Sequence, residues 1–180
     1  MKGGLRVVRY LLGTKDKGLI YGGRGKQDLV GYVDSDFAGD VDSRKSTTGF
    51  VFMVNGGAVS WGSKKQQSVA TSTVEAEYIA ASHAIKEGVW LGGLLEELGV
   101  PVSCIELKMD NMGCIANLQN HVLSKYTKHI SVCYHQAREK VAWCQISPVY
   151  VNTEDNVADI FTKPLASPAF LKHRDSMRIG

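Results

Sequence analysis

The sequence predicts an α/β fold: a five-stranded mixed sheet, three strands antiparallel and the rest parallel, with helices on both faces. Three observations carry this prediction. Three short apolar runs bounded by turn residues follow one another up to Ser63, as in an antiparallel meander. A long segment of helical period then runs from Thr71 to Leu98. Beyond it, strand-like and helical runs alternate to complete the order β-β-β-α-β-α-α-β-α, and strands joined through helices pair in parallel.

The elements read as follows. Leu5–Leu12 (LRVVRYLL) is a short helix ended by Gly13, and Gly18–Tyr21 is a strand candidate. A helix this short is marginal without upstream packing, so the opening is expected to belong to something longer. Tyr21–Lys26 (YGGRGK) is a loop; its Gly-Lys lacks both the earlier glycine and the following Ser/Thr of a phosphate-binding loop. Leu29–Phe37 is the first sheet strand, and Ala38–Thr47 is a polar turn. Thr48–Val54 and Ala58–Ser63 are strands joined by Asn55-Gly56-Gly57, a hairpin signal. The long helix opens with a capping box, Ser72 as N-cap and Glu75 three residues on. Val74, Tyr78, Ala81, Ile85 and Val89 mark its buried face, and Gly99 and Pro101 stop it. Cys104–Met109 is a strand, Met112–Leu118 and Thr127–Val141 are helices, Gln145–Val151 is the last strand, and Asn156–Thr162 is a short helix ended by Pro164.

Bulk properties narrow the class. At 180 residues, 44% hydrophobic and 22% charged, the chain can build one domain with a core and has no disorder signature. The net charge of +3 permits a nucleic-acid partner without arguing for one. Four cysteines without a Cys-x-x-Cys pair argue against zinc and for a reducing, intracellular setting. Met1 leads into a basic amphipathic stretch, so no secretory signal is expected, and no apolar run approaches membrane-spanning length.

Four carboxylates stand out by position. Glu77 lies beside the buried face of the long helix, in a row with Ala80, Ala81, Ala84 and Gly88. An acid there is either a boundary residue in water or a buried charge that needs a partner or a metal. In the first sheet strand Val30, Tyr32, Asp34 and Asp36 share a face, so Asp34 or Asp36 can look toward the helix. Asp110 closes the fourth sheet strand, where ligands of α/β sheets gather. Asp159 sits in the last short helix. With 18 acids in the chain some reach strand ends by chance. If these four converge, like charges raise each other's pKa, and divalent cations resolve the repulsion. Mg²⁺ takes oxygen ligands and leaves room for phosphate oxygens. Two such ions support phosphodiester cleavage.

Several ordered stretches then match one family. GYVDSDFAGD, DSRKSTTGFVF, AVSWGSKKQQSVATSTVEAEYIA, MDN, YTKHI and VADIFTKPL resemble the ribonuclease H domain of Ty1/copia-type retrotransposon polyproteins, across nearly the whole chain. The resemblance implies an RNase H-like fold and a nuclease that cuts the RNA strand of RNA–DNA hybrids with Mg²⁺, or Mn²⁺ in its place. It implies that Asp34, Glu77, Asp110 and Asp159 hold the metals, selecting Asp34 over Asp36 and Glu77 over Glu75. It also implies a division into residues 1–26 as the tail of an upstream reverse transcriptase region, 27–166 as the RNase H-like domain and 167–180 as a C-terminal tail. That upstream region and the hybrid are the expected partners, with no membrane, in the cytoplasm, the nucleus or a virus-like particle. The alternative is a catalytically weak or inactive hybrid-binding fragment. Ser131, where the family usually has Asp, and Val132-Cys133 depart from the pattern, and the loop Asn152–Asn156 lacks the histidine that many cellular ribonucleases H carry.

Other residues admit two readings. Lys64 and Lys65 are a solvated turn or contacts to phosphates, with Gln66, Gln67, Ser72 or Thr73 near a minor groove. Asn111 and His129 stand on the expected substrate side; His129 and His135 are six apart and make a poor metal pair. Trp61 is expected in the core rather than as a base-stacking platform. No Gly-x-Ser-x-Gly supports serine-hydrolase chemistry.

Overall fold

The computed structural model describes residues 2–22, 28–120 and 132–180. The expected Tyr21–Lys26 loop past Gly22, the start of the Thr127–Val141 helix, His129 and Ser131 lie outside them. Helix α1 (Lys2–Gly13) leads to the meander β1 (Leu29–Asp36), β2 (Thr47–Val54) and β3 (Gly57–Lys65), and then to the long α2 (Thr73–Glu97). Strand β4 (Ile105–Met109), α3 (Met112–Gln119), α4 (Val132–Ala142) and β5 (Ile146–Tyr150) follow. Two 3-10 segments, Thr153–Asp155 and Val157–Phe161, and α5 (Ser167–Ser176) close the chain.

The sheet order is β3-β2-β1-β4-β5. β1 pairs antiparallel with β2, and β2 with β3, while β1·β4 and β4·β5 are parallel. This is the mixed sheet that the element order implies. The hairpin between β2 and β3 turns on Asn55 (φ 53) and Gly56 (φ 75), backbone angles that asparagine and glycine tolerate best. Pro148 in β5 stands on an edge strand, where a missing backbone donor is tolerated.

Two cores cover the two faces. On one, α2 lays Tyr78, Ala81, Ala84 and Ile85 over Val33, Phe52, Leu107 and Ile146. Small residues let the helix lie close: a Cβ on Gly88 would fall 2.8 Å from the Phe52 ring. Phe52 is fully buried, and cutting it to alanine should cost about 3–5 kcal/mol. On the other face Val51, Met53 and Ala58 pack against Val157 and Met177, with Leu19, Tyr32, Phe161 and Ile179 around them.

That second core corrects three expectations. The face of β1 turned to α2 carries Leu29 and Val33, while Tyr32 packs on the opposite side. Within the paired stretch Tyr32 therefore points away from the helix, because α2 crosses the face that Gly31 and Val33 open, while Asp34 at the end of the strand still brings its carboxylate to Glu77 of α2. Trp61 is 54% exposed, since edge strand β3 leaves it a cover of only Tyr10, Leu19, Phe161 and their neighbours around a cavity of about 390 Å³. The expected Gly18–Tyr21 strand is a single bridge, Leu19 to Ile179, which joins the two ends of the chain. An element not expected from the sequence, α5, has Pro168 in its first turn and buries His173, with Met177 buried at its C-cap. No helix among the described residues is long and apolar enough to cross a membrane.

Candidate metal centre

The site grows from the first turn of α2. Ser72, in extended conformation, accepts a hydrogen bond from the Glu75 N–H at 3.1 Å and caps the helix. Glu75 closes the cap on Thr71 instead of Ser72, because Thr71 offers Oε2 both its N–H (2.7 Å) and its hydroxyl (2.6 Å). Two residues on, about 200° around the helix, Glu77 faces β1 and is buried. Its Oε1 accepts from the Ser35 N–H at 3.0 Å and the Ser35 hydroxyl at 3.1 Å. Its Oε2 is also buried and has no hydrogen-bond partner among the described residues.

Asp34 reaches the same point from β1. The β1·β4 ladder ends at Tyr32↔Lys108, so beyond it the two strands stop pairing. Asp110 follows the last residue of β4, and Asn111 caps α3 by accepting from the Cys114 N–H at 2.9 Å. Carboxylate oxygens of Asp34, Glu77 and Asp110 all lie within 4.8 Å of one another. Asp36 is elsewhere engaged, accepting from the Thr47 N–H across the β1–β2 turn.

Asp159 flanks this group from the 3-10 segment Val157–Phe161. Fully buried Asn156 sets that segment in place: its Nδ2 donates to the Val33 carbonyl at 2.9 Å, and its Oδ1 accepts from the Ala158 N–H at 3.2 Å. Glycine at position 49 lets the segment press on β2, since a Cβ there would sit 2.6–2.9 Å from Thr162, Ala158 and Phe161. The Thr162 hydroxyl donates to Asp34 Oδ2 at 2.6 Å, and the Lys163 ammonium donates to Asp159 Oδ1 at 2.9 Å.

The electrostatics follow from burial. Asp34 is pushed up to about 7, first by desolvation and then by neighbouring Asp159, against the lowering bond from Thr162. Glu77 is pushed up to about 8 by desolvation and by the charges of Asp34 and Asp110, with the Ser35 bonds working the other way. Burial alone would lower Lys163, yet its bond to Asp159 and the nearby charges of Asp34 and Asp110 leave it raised. Three convergent carboxylates, one with an orphaned buried oxygen, form a donor set that fits a hard divalent cation.

The remaining expected residues sit around this centre. Ser72 and Thr73 are exposed at the start of α2, and Asn111 is half-buried next to Asp110. Lys64 and Lys65 end β3, and Lys65 pairs with Asp40. With Gln66, His83 and Lys86 they line a groove of about 490 Å³ along the side of α2 that carries Glu75 and Ile79, away from Glu77. Ser35, Asn156, Thr162 and Lys163 support the acids but were not singled out from the sequence. Only Lys163 had a readable signal, its i,i+4 spacing from Asp159.

Comparison with known proteins adds the following. No family model matches the chain. It is 44% identical over 157 residues to the Retrovirus-related Pol polyprotein from transposon TNT 1-94 of Nicotiana tabacum, covering 87% of this chain and 12% of that protein. To the Retrovirus-related Pol polyprotein from transposon RE2 of Arabidopsis thaliana it is 39% identical over 166 residues, with 92% and 11% covered. To the Transposon Ty1-NL2 Gag-Pol polyprotein of Saccharomyces cerevisiae it is 28% identical over 169 residues, with 91% and 10% covered. The chain thus spans about a tenth of the length of these relatives. Among solved structures, an N-terminal RNase H domain from Mycobacterium tuberculosis superposes with a TM-score of 0.55 at 15% identity, covering 83% of this chain and 97% of that one. An RNase H1 isolated from compost, crystallised in complex with an RNA/DNA hybrid, superposes with a TM-score of 0.53 at 17% identity, covering 75% and 94%. At these identities the superpositions establish the fold.

Proposed function

Since this chain is a homologue of Ty1/copia-type Pol polyproteins over most of its length and has the ribonuclease H fold, we propose that it is a metal-dependent endonuclease hydrolysing the RNA strand of RNA–DNA hybrids during retrotransposon reverse transcription. The observation that carries the proposal is the meeting of Asp34, Glu77 and Asp110 around the orphaned Glu77 Oε2. These three and Asp159 would hold two Mg²⁺ ions, or Mn²⁺, which when bound supply an activated water and charge stabilisation at the scissile phosphate. The chain's own residues prepare that site. Ser35 fixes the rotation of the Glu77 carboxylate, Thr162 does so for Asp34, and Lys163 holds Asp159 at the edge of the cluster. Lys64, Lys65, Ser72, Thr73, Asn111 and His129 are proposed to contact the hybrid. Residues 27–166 are proposed as the nuclease domain, joined through 1–26 to an upstream reverse transcriptase region that shares the substrate, in an intracellular setting.

The test is cleavage of a labelled RNA–DNA hybrid with and without Mg²⁺. Asp110→Asn is expected to abolish cleavage while hybrid binding, measured by gel shift, survives. Cleavage that persists in this variant removes the mechanism. A parent protein that binds the hybrid and leaves it uncut in Mg²⁺ establishes the alternative, an inactive binding module.

A further inference from the structure

The end of the sheet opposite the acids carries a feature that the nuclease reading does not use. Cys104 immediately precedes β4 and Cys144 lies two residues before β5, and both are exposed free thiols. The strands they lead into are parallel neighbours with Ile105 paired to Ile146, and the Ile105 N–H donates to the Gln145 carbonyl at 3.0 Å. One step back along that register, Cys104 comes opposite Gln145, and Cys144 is adjacent to it in the chain. Parallel strands run about 4.8 Å apart, so the two Cα atoms fall near the roughly 4.4–6.8 Å range of a disulfide. Cys104 senses its neighbour: after burial, the Cys144 thiol and then the Glu106 carboxylate are what raise the Cys104 thiol.

The backbone that presents Cys144 is fixed. Helix α4 ends in a Schellman turn, with the Cys144 N–H bonded to the Val141 carbonyl and the Gln145 N–H to the Lys140 carbonyl, each at 3.0 Å. Cys144 takes the left-handed position of that turn at φ 54, a place that glycine usually fills. A cysteine held there has the direction of its Cα–Cβ bond fixed by the helix end.

We propose that Cys104 and Cys144 form an oxidation-sensitive pair that closes into an intramolecular disulfide. The oxidant is a low-molecular-weight disulfide such as oxidised glutathione. One cysteine thiolate attacks it, forming a mixed disulfide and releasing one reduced thiol. The second cysteine thiolate then displaces the other, giving the Cys104–Cys144 bond and a second reduced thiol; the two protons that the cysteines lose pass to the two released glutathione thiolates, so none is released net. Under a reducing poise the pair stays open. The bond closes a loop that contains Asp110, α3 and α4, and it pins the end of α4 to the sheet from behind, away from the acid cluster. Long-loop closure of this kind raises Tm, here by on the order of 5 °C.

The experiment treats the full chain with oxidised glutathione, alkylates what remains and maps peptides by mass spectrometry without reduction. The expected result is a cross-linked peptide pair containing Cys104 and Cys144, lighter by two hydrogens, and a higher Tm that dithiothreitol reverses. Cys144→Gly suits the left-handed turn and keeps the fold; it is expected to abolish both the link and the Tm rise, as is Cys104→Ser. Two separate glutathione adducts at Cys104 and Cys144 overturn the proposal. So does a cross-link that leaves out either residue, or a parent protein whose thiols remain unlinked.

Discussion

Surface and interior acids of this molecule live under opposite rules. Asp155 lies in the open and Asp40 at the half-exposed surface, and each has its own lysine: Lys65 holds Asp40 below the usual carboxylate range, and Lys172 does the same for Asp155. Asp34 and Glu77 are buried, and their nearest charged neighbours include other carboxylates, so both are pushed up. Surface pairs add little to stability, because water already solvates them. The interior group costs stability whenever it is ionised without a cation, and the fold maintains it through Ser35, Thr162 and Asn156. An arrangement that burdens the fold and is nevertheless braced by it is what the proposed metal site calls for.

The sharpest way to break this contrast is Glu77→Gln. Removing the orphaned charge is expected to lower hybrid cleavage by about a thousandfold or more. The metal-free variant should nonetheless melt above the parent, because the amide keeps an oxygen for Ser35 without the buried charge. Melting in EDTA checks the second half, and a variant that melts lower denies that Glu77 is strained.

Next in size is pH. Asp34 and Glu77 bind protons more tightly in the folded chain than in the unfolded one, where carboxyls titrate near about 4. The stability this provides is complete below that value, and it drains away as pH rises through about 7 for Asp34 and about 8 for Glu77. Metal-free protein should therefore be more stable at about pH 5 than at about pH 8.5, by on the order of a few kcal/mol. Thermal melts in EDTA measure the difference, and Mg²⁺ should erase most of it at the higher pH by binding the ionised carboxylates. A flat profile would mean that the acids are solvated.

Asn156→Ala is a smaller perturbation from behind the site. It removes the bond to the Val33 carbonyl and the cap of the segment carrying Asp159, for a loss of about 2 kcal/mol in denaturant unfolding. Cleavage should fall with it, since Asp159 loses its mount. Smallest of all is Lys172→Ala, which breaks the exposed pair with Asp155. Tm and cleavage are both expected to stay within error, and a clear change in either would blur the division between the two kinds of acid.

Much of the fold was legible because its signals are local. The β2–β3 hairpin shows in Asn55-Gly56, the start of α2 in Ser72 and Glu75, and the mixed sheet in the order of elements. Where local pattern ran out, contacts distant in sequence had decided. Period-two alternation groups the β1 residues correctly and cannot say which group α2 will cover. Trp61 has the composition of a core residue, yet edge strand β3 has no neighbour to bury it. Helix α5 carries too few apolar residues for a periodic signal, and it packs through His173 and the capping Met177, with Phe170 half-buried beside them.

The same division runs through the candidate site. Residue type and strand-end position, with the family resemblance choosing Asp34 over Asp36, nominated the acids from the sequence itself. Ser35 and Glu77 stand 42 residues apart in the chain, and Thr162 and Asp34 stand 128 apart. No spacing rule reaches across such distances. By itself the sequence determined which residues can carry charge, cap a helix or turn a strand, because those properties belong to a side chain and its near neighbours. Tertiary structure alone decided that three carboxylates meet at one point, two of them buried, and that Glu77 Oε2 has no hydrogen-bond partner among the described residues, because desolvation and charge proximity exist only once the chain has closed around them.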